Sequence, residues 1–201
     1  MRVPFRQQAS EYDCVPTSLL NALTYLFERR EIPPFVVHRI YKDCLDIESS
    51  RGTSTRAIQE LGFWLNHYKE KRFKKFAVES KYLHGNQVHL RKNSKIIQCI
   101  KSNGAALMSV YLSRNNWHFI LGLRTEGEWL HCYDPAPHSK RFIKNEAVQF
   151  IARSGQQETN LRIHFDWLEK DFNKTRNSDE KKYVFGHNDE RECLLLNRIP
   201  V

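Results

Sequence analysis

Residues 105–135 read AALMSVYLSRNNWHFILGLRTEGEWLHCYDP, and the alternation in this stretch decides the fold. Ala105 to Leu112, Trp117 to Leu123 and Trp129 to Asp134 carry the aliphatic and aromatic residues and the two-residue period of strands. In the second run Trp117, Phe119 and Leu121 share one face, and His118 shares the other with Ile120. Thr125-Glu126-Gly127 is expected to be a three-residue hairpin loop with glycine at its left-handed position. In that register, residues whose numbers sum to 252 oppose each other, so His118 faces Asp134. Directly opposed Cβ atoms lie roughly 4.5 to 5.5 Å apart, within reach of an imidazole-to-carboxylate hydrogen bond. A slip of one residue would send the two side chains to opposite faces.

Upstream the period changes to that of helices. Val15, Leu19, Leu20, Ala22, Leu23, Leu26 and Phe27 predict a helix over 14–30, with Pro16 tolerated in its first turn. A second helix is expected from Pro33-Pro34 through Cys44. A third starts near Thr53 or Ser54 and runs to about Lys69, and a fourth covers Ser94 to Ser102 before Asn103-Gly104. Downstream, Arg141 to Ile143, Tyr183 to Gly186 and Cys193 to Ile199 read as strands, and Glu169 to Lys182 reads as a flexible charged loop. Helices first and antiparallel strands second describe a single α+β domain over 1–201.

Composition narrows the class. A chain of 201 residues, 40% hydrophobic, with twelve Phe, eight Tyr and four Trp, can build one sizeable core. No apolar run approaches the roughly 20 residues needed to span a bilayer, and the start lacks the pattern of a cleaved signal, so a soluble protein is expected. Five widely spaced cysteines without a CxxC pair argue against a disulfide framework or zinc ribbon and fit a reducing, cytoplasmic setting. His131, Cys132 and His138 lack metal-ligand spacing. The net charge is +9, and ten Lys or Arg against two Glu fall between Lys69 and Lys101. That excess suits either an anionic partner, including an acidic substrate, or simply a solvated helix end.

One cysteine stands apart. Asp13-Cys14-Val15-Pro16-Thr17 places Cys14 in the opening turn of the first helix, where unpaired amides and the positive end of the macrodipole favour the thiolate. The other four cysteines lie within apolar patterns and are expected to be buried small hydrophobes.

Together, Gln8, Asp13-Cys14-x-Pro-Thr, Trp117-His118-Phe119 and Tyr133-Asp134-Pro135 resemble the bacteriocin-processing, double-glycine leader peptidases and their papain-like relatives. The resemblance spans about residues 5 to 145. It implies a papain-like fold with N-terminal helices packed on an antiparallel sheet, and a cysteine peptidase acting on a peptide or protein through a thioester. It further implies a Cys14, His118 and Asp134 triad, Gln8 in the oxyanion hole, and no cofactor. Two departures stand out: Val15 replaces the glycine common after the cysteine, and this sequence holds neither a spanning segment nor the GxxxxGK(S/T) loop of the transporters to which such peptidases are usually fused, so a free-standing relative is expected. The same residues would also serve a transglutaminase-like or phytochelatin-forming acyltransferase. A different class is a non-catalytic module contacting an anionic surface through Lys69 to Lys101 with Phe73, Phe76 and Tyr82, although no nucleic-acid motif is present and such a partner is not the expectation.

Overall fold

The apolar residues that follow Asp13 at helical spacing form α1 (Cys14–Leu26), which ends earlier than expected because Phe27 turns extended. This computed structural model describes residues 3–45, 52–113, 116–137, 145–152, 155–171 and 182–200. Helix α2 (Pro34–Cys44) has Pro34 at its first position, where no intrahelical bond is lost. Helix α3 (Thr55–His67) starts at Ser54, whose hydroxyl accepts the Ala57 N–H at 3.1 Å. After β1 (Val78–His84), helix α4 (Lys95–Lys101) is capped the same way by Ser94. At its far end Asn103 takes the left-handed conformation (φ 61°), whereas Gly104 is needed for space: a Cβ there would lie 2.2 Å from Asn197 Oδ1.

The remaining elements are β2 (Ala105–Ser113), β3 (Asn116–Glu126), β4 (Trp129–Tyr133), β5 (Val148–Phe150), β6 (Leu161–His164), the short α5 (Phe165–Leu168) and β7 (Glu192–Arg198). All pairings are antiparallel, in the order β1-β7-β2-β3-β4-β6-β5. Helices α1, α2 and α3 cover one face, packing on Leu107, Phe119, Leu121, Tyr133, Leu194 and Leu196. The opposite face carries Met108, Ile120, Leu130, Cys132 and Leu195 and is covered by α4, α5 and the chain around Tyr183 and Phe185. This is an α+β fold, as expected.

Several expectations change. Tyr183 to Gly186 is not a strand; only Val184 bridges to Tyr111. The β1, β5 and β6 strands were not anticipated. The predicted strand at 141–143, and most of the charged stretch after Glu169, lie outside the described residues. No helix among the described residues is long and apolar enough to cross a membrane.

Candidate functional site

The β3–β4 hairpin sets the geometry, and its register differs from the simple expectation. Glu126 pairs with Trp129, leaving a two-residue turn at Gly127-Glu128 in which Gly127 has φ 56°. Glycine at the first central position supplies the positive φ that this tight turn demands. Numbers in the turn-proximal ladder therefore sum to 255, an odd register that would place His118 and Asp134 on opposite faces. Between Gly122 and Arg124 the register shifts, leaving Leu123 as the extra residue of a bulge, and beyond it Gly122 pairs with Cys132 and Leu121 with Tyr133. The sum becomes 254, and His118 and Asp134 return to one face. They are diagonal neighbours rather than directly opposed, and the imidazole ring spans the added distance.

His118 Nε2 donates to Asp134 Oδ1 at 2.7 Å. Asp134 is fully buried, with its oxygens engaged by further donors: Ala136 N–H on Oδ1 at 2.8 Å and the Tyr183 hydroxyl on Oδ2 at 2.7 Å. Its backbone is clamped by one side chain, because Asn160 Oδ1 accepts the Asp134 N–H at 2.7 Å and Asn160 Nδ2 donates to the Asp134 carbonyl at 2.8 Å. A buried carboxylate with several donors is solvated by the protein in place of water.

Burial pulls the His118 pKa down, but the Asp134 carboxylate and then Cys14 outweigh it and push it up to about 10. Since Nε2 is committed to Asp134, Nδ1 is the ring nitrogen left for Cys14, whose proximity contributes to the raised pKa. Helix α1 packs across β2 and β3, and the Ser18 hydroxyl donates to the Phe119 carbonyl at 3.4 Å, fixing the helix start beside His118. The structure thus brings Cys14, His118 and Asp134 together.

The chain leading into α1 is organised by Asp13. Its carboxylate accepts the Ala9 N–H (3.0 Å), the Ser10 N–H (2.7 Å) and the Ser10 and Thr17 hydroxyls. Burial raises its pKa, but those bonds prevail and hold it below the usual value. Gln8 opens this turn: its N–H donates to the Pro135 carbonyl at 2.8 Å, next to Asp134, and its Nε2 donates to the Ser10 carbonyl at 2.8 Å. Asp13 stood in the cysteine motif without a role, and Asn160 and Tyr183 escaped the sequence reading as site residues. An acid at the helix N-cap was a usable signal for Asp13; Asn160 and Tyr183 carry none.

The other sulfurs behave as expected of buried hydrophobes. Burial pushes Cys44 up to about 12 and Cys99 up to about 11, and holds Cys132 and Cys193 well above the ordinary thiol range. His131 faces away from His118, as predicted from alternation, and burial with Arg124 beside it lowers its pKa. His138 lies outside the described residues, and no metal-binding group of three His, Cys, Asp or Glu occurs among those described. Of the aromatic residues of the basic region, Phe76 is buried, Phe73 and Tyr82 are half-buried against the core, and the Tyr82 hydroxyl donates to Glu192 at 2.9 Å.

The fold and site together define an α+β protein with a cysteine at a helix start facing a buried His–Asp pair. No protein-family profile and no curated protein matches the sequence. A solved structure described as a double glycine motif protease from an AMS/PCAT transporter in complex with the leader peptide is similar, at 15% identity and a TM-score of 0.45, covering 98% of this chain and 92% of that chain. Such values describe a loose likeness of shape, not shared chemistry.

Proposed function

We propose that this protein is a cysteine peptidase of the papain-like kind, related to the double-glycine leader peptidases that its motifs resemble. The observation carrying this reading is His118 held between Cys14 and a fully buried Asp134, with its pKa raised by both. An imidazolium beside a cysteine at a helix start stabilises the thiolate, the attacking species. Cys14 adds to the peptide carbonyl, and the oxyanion takes the second Nε2 hydrogen of Gln8 and a backbone N–H at the start of α1. Such a donor typically contributes about 3 to 4 kcal/mol to the transition state. His118 then gives its Nδ1 proton to the departing amine, leaving a thioester. It next takes a proton from the water that releases the acid, while Asp134 keeps the ring oriented.

A cleft of about 720 Å³ runs beside α1, lined by Leu20, Asn21, Ile32 and Val37 together with Arg6 and Arg29. Its size is that of ordinary ligand clefts, but Cys14, His118, Asp134 and Gln8 are not in its lining, so it is not assigned to the substrate of this reaction.

The test is the rate of Cys14 alkylation by iodoacetamide across pH, read by peptide mapping, in the wild type and in His118→Ala. Rapid alkylation well below the ordinary thiol pKa near 8.5, lost in the variant, is expected. Ordinary thiol behaviour in both proteins overturns the reading.

A further inference from the structure

We infer that Tyr183 is a positioning residue for the His118–Asp134 pair, donating to Asp134 Oδ2 so that the buried acid stays ionised and keeps Oδ1 turned toward His118. The inference deepens the peptidase reading and rests on it. Tyr183 is 1% exposed, and its hydroxyl lies 2.7 Å from Oδ2. Asp134 Oδ1 is shared by His118 and Ala136, so the Tyr183 hydroxyl balances the carboxylate's other oxygen. Burial and the Asp134 charge both push the phenol pKa up, so Tyr183 remains a donor throughout the working range.

The backbone delivers this ring at a cost. Tyr183 has φ 61°, a left-handed conformation that bulky residues rarely adopt, and such strain persists only where the surroundings hold it. They do so here from several sides. The Tyr183 N–H donates to the Tyr111 carbonyl and the Tyr111 N–H to the Val184 carbonyl, both at 2.8 Å. The Phe185 N–H donates to the Leu168 carbonyl at 2.7 Å, and Trp167 Nε1 donates to the Lys182 carbonyl at 2.8 Å. Buried Arg191 adds hydrogen bonds to the carbonyls of Gly186 and Glu169, each at 2.9 Å. The Tyr183 ring lies against Phe150, at 6.0 Å between centroids. This part of the chain is fastened on both sides of a strained residue whose hydroxyl ends on Asp134.

Without the hydroxyl, Oδ2 keeps its burial and loses this donor, so Asp134 takes up a proton at higher pH. A neutral Asp134 no longer supports the imidazolium, and the thiolate loses its counter-charge. The experiment is the pH profile of Cys14 alkylation by iodoacetamide in the wild type, Tyr183→Phe and His118→Ala. In Tyr183→Phe the acid limb should move up by about one pH unit, with the circular dichroism spectrum unchanged. A folded variant with lower thermal stability and an unmoved limb gives Tyr183 a merely structural role and overturns the inference alone. A wild type with no low-pH reactivity removes the peptidase reading and this inference together. If Tyr183→Phe does not fold, 3-fluorotyrosine placed at position 183, a stronger donor in the same ring, should move the limb downward; an unmoved limb there also overturns the inference.

Discussion

His118 and His131 sit on one hairpin, both buried, on opposite faces and at opposite ends of its bulge. Burial alone lowers the pKa of each. At the turn end His131 lies between Arg124 at 3.3 Å and the exposed Glu126 carboxylate at 3.2 Å, and burial together with Arg124 outweighs Glu126, so its pKa falls. At the other end His118 meets a carboxylate across 2.7 Å, and its pKa rises to about 10. Burial lowers both, and only a carboxylate that is itself fully buried reverses the sign; the exposed Glu126 beside His131 does not. What chooses the partner is strand parity, which the extra residue Leu123 reverses midway along the hairpin.

The strongest way to break this contrast is Asp134→Asn. Replacing the acid of such a triad costs about 10⁴-fold in turnover, and a loss of about that size in peptide hydrolysis is expected. Stability should respond to pH as well. His118 binds its proton more tightly folded than unfolded, so its contribution is complete below about 6.5 and is lost as pH climbs through about 10. The difference in melting temperature between wild type and Asp134→Asn should narrow over that window. A constant difference would show that the carboxylate does not hold the proton on His118.

The same hairpin shows how far the sequence could be read. The strands and their alternation were legible because both faces of β2, β3 and β4 are buried, leaving long apolar runs. The shared face of His118 and Asp134 was also legible, but through an incorrect register. A three-residue loop summing to 252 and a two-residue turn plus a bulge summing to 254 have the same parity. A bulge leaves no mark in a sequence unless a residue there demands one, and Leu123 demands nothing. Edge strand β1 was hidden because three of its residues between Val78 and Leu83 are polar and exposed in part or whole. Tyr183 was illegible for another reason: its partner is 49 residues away across a charged stretch, and no local pattern announces a left-handed tyrosine.

His131→Gln tests the other half of the contrast. Gln keeps a neutral acceptor for Arg124 and removes the titration. Because burial and Arg124 lower the His131 pKa, the unfolded chain binds its proton more readily, and the wild type loses stability as pH falls below about 6.5. The variant should resist that acid loss, melting a few degrees higher than wild type near pH 5 and about equally at pH 8, with Cys14 alkylation unchanged. A drop in alkylation would mean that the two ends of the hairpin are coupled.

Gly122→Ala asks that question most gently, because Gly122 stands at the bulge between the two histidines. A Cβ there would come within 2.9 Å of Met108 Cε and 3.4 Å of Ile100 Cδ1. Both are far ends of flexible side chains, so the strand need not move, and the cost should be about 1 kcal/mol by denaturant unfolding. Cys14 alkylation should stay within about twofold of wild type, since His118 lies four residues along β3 and is held by Asp134 rather than by the bulge. A larger stability loss accompanied by slower alkylation would show instead that the bulge and the His–Asp bond form one rigid unit. The bulge would then help hold the imidazole in place as well as set its face.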